Sequence, residues 1–206
     1  KNPLTSLKTF TEYLPKKLDD KEFLLKFSNI VGSEVDRIDD LVQQLLDYGK
    51  PAPLSLRKVN IVKLLNDTID IFNNNFLEKN IKVIKTYKDT RVIFINIDPT
   101  QIRQSFMNIL LNAIESMEHS EVLTIDIIQT SESKVHLSFK DTGIGICKTD
   151  LTRIFEPFFT KKDKGTGLGL SITKTIIDNH KGRIYAKSDG KKGSEFIIEL
   201  PLKPKL

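Results

Sequence analysis

Amide, carboxylate and glycine residues that could contact a ligand are concentrated in four short segments of this 206-residue chain. In chain order, the segments are 108–113 (NILLNA), 141–145 (DTGIG), 155–159 (FEPFF) and 165–170 (GTGLGL). Any one of them alone would be weak evidence for a binding site. Their occurrence together and in this order indicates one composite site.

The first segment carries two amides, Asn108 and Asn112, four residues apart in a predicted helix and therefore on one helix face. An amide oxygen can bind a hard cation, and magnesium usually combines one or two protein oxygens with waters and substrate phosphates. Alternatively, both could be buried amides that only hydrogen-bond within the core. The helix alone does not separate these interpretations, and the other three segments favour the first.

In the second segment, Asp141 follows a predicted strand and begins a turn that contains Gly143 and Gly145. A carboxylate at this place could accept a hydrogen bond from an exocyclic amine, which would distinguish adenine from guanine. The two glycines would let the backbone approach a flat base closely. The plainer alternative is an aspartate that only begins a turn. Ser194 could add a hydroxyl near the base or have a structural role.

The fourth segment leads into a predicted helix over about 168–180, so backbone amides and the positive end of the helix would face an anion. This pattern is shared with dinucleotide-binding folds, but the sequence has no G-x-x-x-x-G-K-[ST] motif, which argues against a P-loop enzyme. The residues predicted to contact phosphate are Gly165, Thr166, Gly167, Leu168 and Gly169.

The charged loop 160–164, which includes Lys162, could close over a triphosphate, or it could be a plain exposed loop. Phe155, Phe158 and Phe159 are predicted to anchor the core or the lid rather than to act in catalysis. The four segments together predict one pocket that binds ATP and magnesium.

The amino-acid composition limits the classes of protein to which this chain could belong. A hydrophobic content of 39% and a charged content of 29% are ordinary for a soluble globular protein. The apolar runs are too short to span a bilayer and no leader is evident. The net charge is +5, but basic residues are mixed with acids along the chain, so nucleic-acid binding is not expected. A single cysteine, Cys147, fits a reducing, cytoplasmic compartment.

The first 50 residues are predicted to form an antiparallel helical hairpin that is interrupted at Pro15. The apolar stripe of the second helix is expected to pack on another hairpin or, alternatively, on the rest of the same chain. The segment 51–59 is predicted to be a linker because the prolines near its start cannot continue a helix.

Residues 60–206 are predicted to form an α/β sandwich of the α+β class, with one mixed, mainly antiparallel sheet and helices on one face. Asn60 and Asp98 are expected to cap helices, the first with an apolar face that runs from Ile61 to Phe76. The strands are predicted at 81–87, 91–97, 121–130, 134–140, 182–188 and 194–200.

The stretch 60–202 resembles the catalytic ATP-binding domain of sensor histidine kinases, within the gyrase/histidine-kinase ATPase superfamily. The four segments are similar to that family's N, G1, F and G2 boxes, and 193–196 (GSEF) resembles its terminal strand motif. The sequence of residues 112–117 (NAIESM) most resembles the corresponding segment of the nitrogen-regulation-like branch of the family.

The resemblance implies that Asn112 ligates Mg²⁺ with support from Asn108, and that Asp141 reads the adenine of ATP. The glycines of the fourth segment would shape the phosphate loop. The family's F box often runs FFTTK, whereas here it runs FFTKK, so Lys162 matches the lysine and Lys161 replaces a threonine.

The opening KNPLT resembles the end of the family's H box, commonly HEIKNPL. This implies that residues 1–50 are a dimerisation and phosphotransfer hairpin, that two chains form a four-helix bundle, and that a response-regulator receiver domain docks on it. It also gives Asn2 a possible phosphatase role. The phosphoacceptor histidine would stand three residues before Lys1, so the sequence as given is expected to bind ATP but not to autophosphorylate. Membrane contact is expected only through parts outside this sequence.

The predicted function is therefore the ATP-binding core of a sensor histidine kinase, which passes the γ-phosphate to a hairpin histidine and then to a response-regulator aspartate. One alternative is a hydrolytic ATPase of the same superfamily. Such enzymes carry a glutamate where this chain has Asn108, and an amide cannot act as a general base. Glu115 could be proposed as the base, although a solvent-facing charge is the expectation. A third possibility is a non-catalytic dimerisation or docking module.

Overall fold

The computed structural model describes residues 3–49, 53–88, 91–131, 133–162 and 165–202. Its helices are α1 (Pro3–Tyr13), α2 (Lys21–Gly49), α3 (Ile61–Ile71), α4 (Asn73–Glu78), α5 (Pro99–Ser116) and α6 (Gly169–Asn179). Its strands are β1 (Arg57–Asn60), β2 (Lys82–Lys85), β3 (Phe94–Ile97), β4 (Val122–Ser131), β5 (Lys134–Asp141), β6 (Arg183–Lys187) and β7 (Ser194–Pro201). None of the helices in these ranges combines the length and the apolar character that a bilayer span requires.

The two predicted N-terminal helices are present and touch each other near the turn that joins them. α1 ends at Tyr13, and a short 3₁₀ turn that contains Pro15 follows it. At the start of α2, the Asp20 carboxylate accepts a hydrogen bond from the Phe23 amide at 3.0 Å. The Phe10 ring lies 6.1 Å from the Phe23 ring and 6.5 Å from the Phe27 ring, between centroids. That these helices serve as an antiparallel dimerisation hairpin stays a prediction, and Asn2 lies outside the described residues.

The rest of the chain has the predicted mixture of helices and mainly antiparallel strands. The larger sheet has the order β2-β4-β5-β7-β6, in which only the β2–β4 pair is parallel among the described strands. α5 packs on α3, α6 and β5, and α6 packs on β6. Apolar residues of α5 at three- and four-residue spacing are fully buried, and the ring of Phe106 lies 5.9 Å from that of Phe139 on β5.

Two details differ from the sequence-based expectation. β1 was not predicted, and it pairs with β3 in a separate two-stranded sheet, so the strands do not form one sheet. The helix capped by Asn60 ends at Ile71, and a short second helix follows it. Phe72 between them has ψ of 7°, away from helical values. Phe72 and Phe76 both lie in the core, with rings 6.4 Å apart.

The predicted caps are confirmed. The Asn60 side chain accepts a hydrogen bond from the Val62 amide at 3.2 Å, and the Asp98 carboxylate accepts from the Thr100 and Gln101 amides at 3.0 and 3.2 Å. Burial would raise the pKa of Asp98, but the amides of Ser55, Gln101 and Thr100 outweigh it and hold that pKa below its usual value. The start of α5 is therefore fixed by an ionised cap.

His180 joins the end of α6 to the start of α5. Its Nε2 accepts a hydrogen bond from the Asp98 amide at 3.0 Å, and its Nδ1 lies 2.7 Å from the Ile176 carbonyl oxygen, to which it donates. These two bonds require the neutral Nδ1–H tautomer. Burial lowers the pKa of His180 below its ordinary value of 6.5, against the weaker opposing effects of the Ile176 carbonyl and of Asp98.

We expect the stability of the protein to fall as the pH drops from 7.5 to 5.5. The pKa of His180 is lower in the folded protein than in the unfolded chain, so the unfolded chain takes up a proton first as the pH falls. The stability that is present above pH 6.5 is therefore lost as the pH falls through the pKa that His180 has in the folded protein. His180→Gln should be less stable than wild type at pH 7.5 but should depend less on pH. Thermal unfolding measured across this range tests the effect.

The matched control is His119→Gln, which changes an exposed histidine and should retain the wild-type pH dependence. Asp98 titrates below this window because its pKa is lowered from 3.8. A His180→Gln protein whose melting temperature falls with pH as steeply as that of wild type would contradict the assignment.

Candidate functional site

The two amides of α5 have different environments. The Asn108 Nδ2 donates to the Gly169 carbonyl oxygen at 2.9 Å and to the Thr173 Oγ1 at 3.2 Å, so this side chain joins α5 to the first turn of α6. The Asn112 Nδ2 donates to the Asn108 carbonyl oxygen at 2.9 Å. That bond turns the Asn112 Oδ1 outward, where it accepts from the Lys162 ammonium at 3.0 Å. Asn108 therefore holds the site together, and Asn112 presents an oxygen that already faces a cation.

Asp141 lies at the end of β5 with only 2% of its surface exposed. Its Oδ1 accepts from the Gly143 and Ser194 amides at 2.9 and 3.2 Å, and its Oδ2 accepts from the Ser194 hydroxyl at 2.6 Å. A carboxylate oxygen can accept more than one hydrogen bond, so Oδ2 keeps capacity for a further donor. Asp141 thus both begins the turn and is held in one orientation, and Ser194 positions it.

The turn after Asp141 is enclosed by backbone. The Ile144 amide donates to the Ser116 carbonyl oxygen at 3.0 Å, and the Gly193 amide donates to the Gly143 carbonyl oxygen at 2.6 Å. A side chain at Gly143 would place its Cβ 2.3 Å from the Ser116 carbonyl oxygen. Gly145 has φ of +74°, in the left-handed region that favours glycine. This segment is therefore joined to the end of α5 and to the loop before β7, and its shape requires residues without side chains.

The glycine-rich loop turns sharply just before α6. Gly167 has φ of +71°, and its carbonyl oxygen accepts from the Phe158 amide at 3.0 Å. The Thr166 Oγ1 accepts from the Leu168 amide at 3.2 Å. The Leu168 side chain is buried in the core, so only its backbone could face a ligand. Among the described residues, no side chain caps the N-terminus of α6, which leaves its first-turn amides for an anion.

The lysines of the lid have different partners. The Lys161 ammonium lies 2.5 Å from the Asp150 carboxylate, and this hydrogen bond raises the pKa of Lys161. The Lys162 ammonium lies 2.5 Å from the Glu115 carboxylate on α5 as well as 3.0 Å from Asn112. Lys162, which matches the family's lysine position, is therefore the lid lysine that faces the amides.

A family model described as "Histidine kinase-, DNA gyrase B-, and HSP90-like ATPase" matches residues 97–204, which include all four segments. The chain belongs to this family. Sporulation kinase C of Bacillus subtilis (strain 168) is 35% identical over 203 residues, which are 98% of this chain and 46% of that protein. Sensor histidine kinase ZraS of Escherichia coli (strain K12) is 32% identical over 202 residues, which are 98% of this chain and 43% of that protein.

A solved structure of histidine kinase ThkA in complex with the response regulator protein TrrA superposes with a TM-score of 0.83 at 30% identity, and the match covers 98% of this chain and 58% of that one. The α+β fold with its mainly antiparallel sheet is thus the fold of a histidine kinase catalytic domain, and the chain carries the ATP-binding domain of a sensor histidine kinase. The chain spans less than half the length of the two curated relatives named above. Its place in the nitrogen-regulation-like branch stays a prediction.

Several contacts of this histidine kinase domain were not predicted from its sequence. Glu115 is exposed, as expected, but its carboxylate is paired with Lys162 rather than only solvated. The Ser188 hydroxyl accepts from the Ile146 amide at 2.9 Å and donates to the Gly193 carbonyl oxygen at 2.7 Å. Asn112 and Glu115 are three residues apart, about one helical turn, and this spacing could have suggested that their side chains face the same cation.

The aromatic residues of the third segment meet the expectation only in part. Phe155 and Phe159 are partly buried and pack against the core. That Phe158 anchors the lid stays a prediction, but its side chain is 63% exposed, so the prediction that it anchors the core is wrong. The reason is its backbone, which has φ of +65° and donates to the Gly167 carbonyl oxygen. Phe158 supports the glycine loop through its main chain.

Gly167→Ala should lower the free energy of unfolding by about 1–3 kcal/mol, because the left-handed backbone disfavours alanine and the fixed main chain resists the clash. The new Cβ would lie 2.4 Å from the Phe158 carbonyl carbon. Gly169→Ala, in the same loop, is the matched control, since its Cβ would meet only the Asn108 side chain, at 3.5 Å. Urea denaturation of both variants measures the difference, and equal effects would contradict the structural role of Gly167.

Proposed function

We propose that this chain is the catalytic core that, in the whole kinase, positions ATP and Mg²⁺ for transfer of the γ-phosphate to a histidine. The supporting observation is that direct hydrogen bonds join the first, third and fourth segments and attach the second segment to α5, the helix that carries the first. Asn108 bonds to Gly169, Phe158 bonds to Gly167, and the turn after Asp141 bonds to Ser116 at the end of α5. The segments that the resemblance assigns to nucleotide binding are therefore parts of one connected structure.

The adenine role is assigned to Asp141. Its carboxylate is held by bonds from Gly143 and Ser194, and the free capacity of Oδ2 suits the exocyclic amine of adenine. Gly143 and Gly145 leave backbone beside it without side chains, which is what a flat base requires. Guanine carries a carbonyl oxygen in place of that amine, so the carboxylate would repel it.

The phosphate and metal roles are assigned to the region between α5 and α6. Backbone amides of Gly165, Thr166, Gly167, Leu168 and Gly169 and the first turn of α6 would hold the phosphates. The Asn112 Oδ1 suits Mg²⁺ because it is a neutral oxygen, fixed in direction, that already accepts from an ammonium. When bound, Mg²⁺ would neutralise charge on the phosphate oxygens. Lys162 would add positive charge on the same side.

The segments 1–50, 51–59 and 60–206 are proposed to be the hairpin, the linker and the catalytic domain. α2 leaves the apolar side chains of Val35 and Val42 about half exposed, at 48% and 50%, which fits pairing with a second hairpin in a homodimer. ThkA was solved with a response regulator, and we extend that kind of partner, a receiver domain docking on the hairpin, to this protein. Asn2 keeps its proposed phosphatase role toward that partner.

Asp141→Asn should weaken binding of a non-hydrolysable ATP analogue about 10- to 100-fold, because the new amide group opposes the adenine amine while keeping the shape of the side chain. Binding of the matching GTP analogue should not weaken. Calorimetric titration with both nucleotides measures the two affinities. Asp126→Asn on β4 makes the same change on a neighbouring strand and should bind like wild type. An equal loss for both nucleotides would contradict the adenine role.

The full-length protein, incubated with Mg²⁺ and ATP labelled in its γ-phosphate, should incorporate label that is stable in alkali and labile in acid, as expected for phosphohistidine. Asn112→Ala should incorporate less than about 1% of the wild-type label if the metal oxygen is needed for positioning. Asn96→Ala, an exposed asparagine on β3, is the control. Steady release of free phosphate without labelled protein would instead favour the hydrolytic ATPase.

A further inference from the structure

Two oxygens on the last turns of α5 face one cation. The Lys162 ammonium lies 3.0 Å from the Asn112 Oδ1 and 2.5 Å from the Glu115 Oε2. We propose that Glu115 is a second oxygen ligand, beside Asn112, for the divalent cation that accompanies the nucleotide, and that the Lys162 ammonium competes for this cation position. The proposal rests on the function proposed above.

The two oxygens are arranged by the helix before any ligand arrives. Residues three apart lie on the same face of an α-helix, so Asn112 and Glu115 project to one side of α5. The bond from the Asn112 Nδ2 to the Asn108 carbonyl oxygen fixes which end of the amide faces outward. Between them along the chain, Ala113 and Ile114 are buried and hold this turn against the core. The pair therefore presents one neutral and one anionic oxygen, a donor set typical of hard cations.

The position of Glu115 in α5 gives a second argument. It lies in the last turn of the helix, which has no basic residue of its own. The partial negative charge of a helix C-terminus disfavours an acidic side chain there and attracts a cation. Lys162, 47 residues away in the sequence, supplies that cation in the structure. If Lys162 leaves, another cation is needed to compensate the same charges.

The second lid lysine does not compete for this position. Lys161 is paired with Asp150 at 2.5 Å. Lys162 and a divalent cation, in contrast, would use the same oxygens, so binding of one excludes the other. Binding of the divalent cation would release the Lys162 ammonium, whose charge then becomes available to the phosphates that arrive with the metal.

The test uses Mn²⁺ as a probe of the site without nucleotide, with free Mn²⁺ measured by electron paramagnetic resonance. Lys162→Met should bind Mn²⁺ about tenfold more tightly than wild type, because the competing ammonium is removed. Adding Glu115→Gln to Lys162→Met should abolish that gain. Lys161→Met, the same change at the neighbouring lysine, should leave Mn²⁺ binding as in wild type.

A second measurement uses a non-hydrolysable ATP analogue titrated at increasing Mg²⁺ concentration. Glu115→Gln should raise the Mg²⁺ concentration needed for half-maximal binding about tenfold, without weakening nucleotide binding in the absence of Mg²⁺. Glu118→Gln, an exposed acid just beyond α5, is the matched control. Circular dichroism melting confirms that each variant is folded.

The outcomes separate this inference from the proposed function. If Asn112→Ala shifts the Mg²⁺ dependence and Glu115→Gln does not, Glu115 only tethers the lid and the inference is overturned while the nucleotide site stands. If the folded wild-type protein binds no ATP analogue at any Mg²⁺ concentration, the proposed function fails and the inference falls with it.

Discussion

The packing of α6 against α5 is the constraint on which the site depends. Two sets of hydrogen bonds fix it, one from Asn108 to the first turn of α6 and one from His180 to the cap of α5. Because these bonds lie at opposite ends of α6, the two helices cannot slide or rotate without breaking one set. The glycine loop enters α6 at the first of these points. Its distance from Asn112 is thereby determined by helix packing rather than by the loop itself.

The loops at the site are shaped by close backbone contacts more than by side chains. The Gly143 carbonyl accepts from Gly193, and a Cβ at Gly193 would lie 2.5 Å from the Asp141 carbonyl oxygen. The Phe158 main chain supports Gly167 in the same way. Because of these contacts, mainly backbone amides and few side chains would face a ligand. The protein would therefore supply oriented backbone dipoles, and the charges would come from a small number of residues and from the ligand. A site with few charged side chains suits a nucleotide, which brings its own phosphates and metal.

How far the sequence predicted this structure depended on whether each feature is local. The caps at Asn60 and Asp98 were predicted correctly because a capping side chain bonds to amides two or three residues ahead. β1 was missed because four residues with two exposed positions give no clear pattern, and its partner strand begins 37 residues after it starts. The partner of Glu115 was not predicted for the same reason, since Lys162 lies in a loop far along the chain from α5. The motifs defined the candidate site, but the contacts between them could be seen only in the fold.

The environment of Asn108 also bears on the choice between phosphate transfer and hydrolysis. A hydrolase of this superfamily needs a group on this helix face that can take a proton from water. Asn108 has no such basicity, and both of its donor contacts are used to hold α6. The neighbouring carboxylate, Glu115, is paired with the Lys162 ammonium, and it would ligate the divalent cation once nucleotide binds, so in neither case is it a free base. A site built in this way would hold ATP without activating water beside it. Under the proposed function, the γ-phosphate would then be kept for a stronger nucleophile, the imidazole of a histidine.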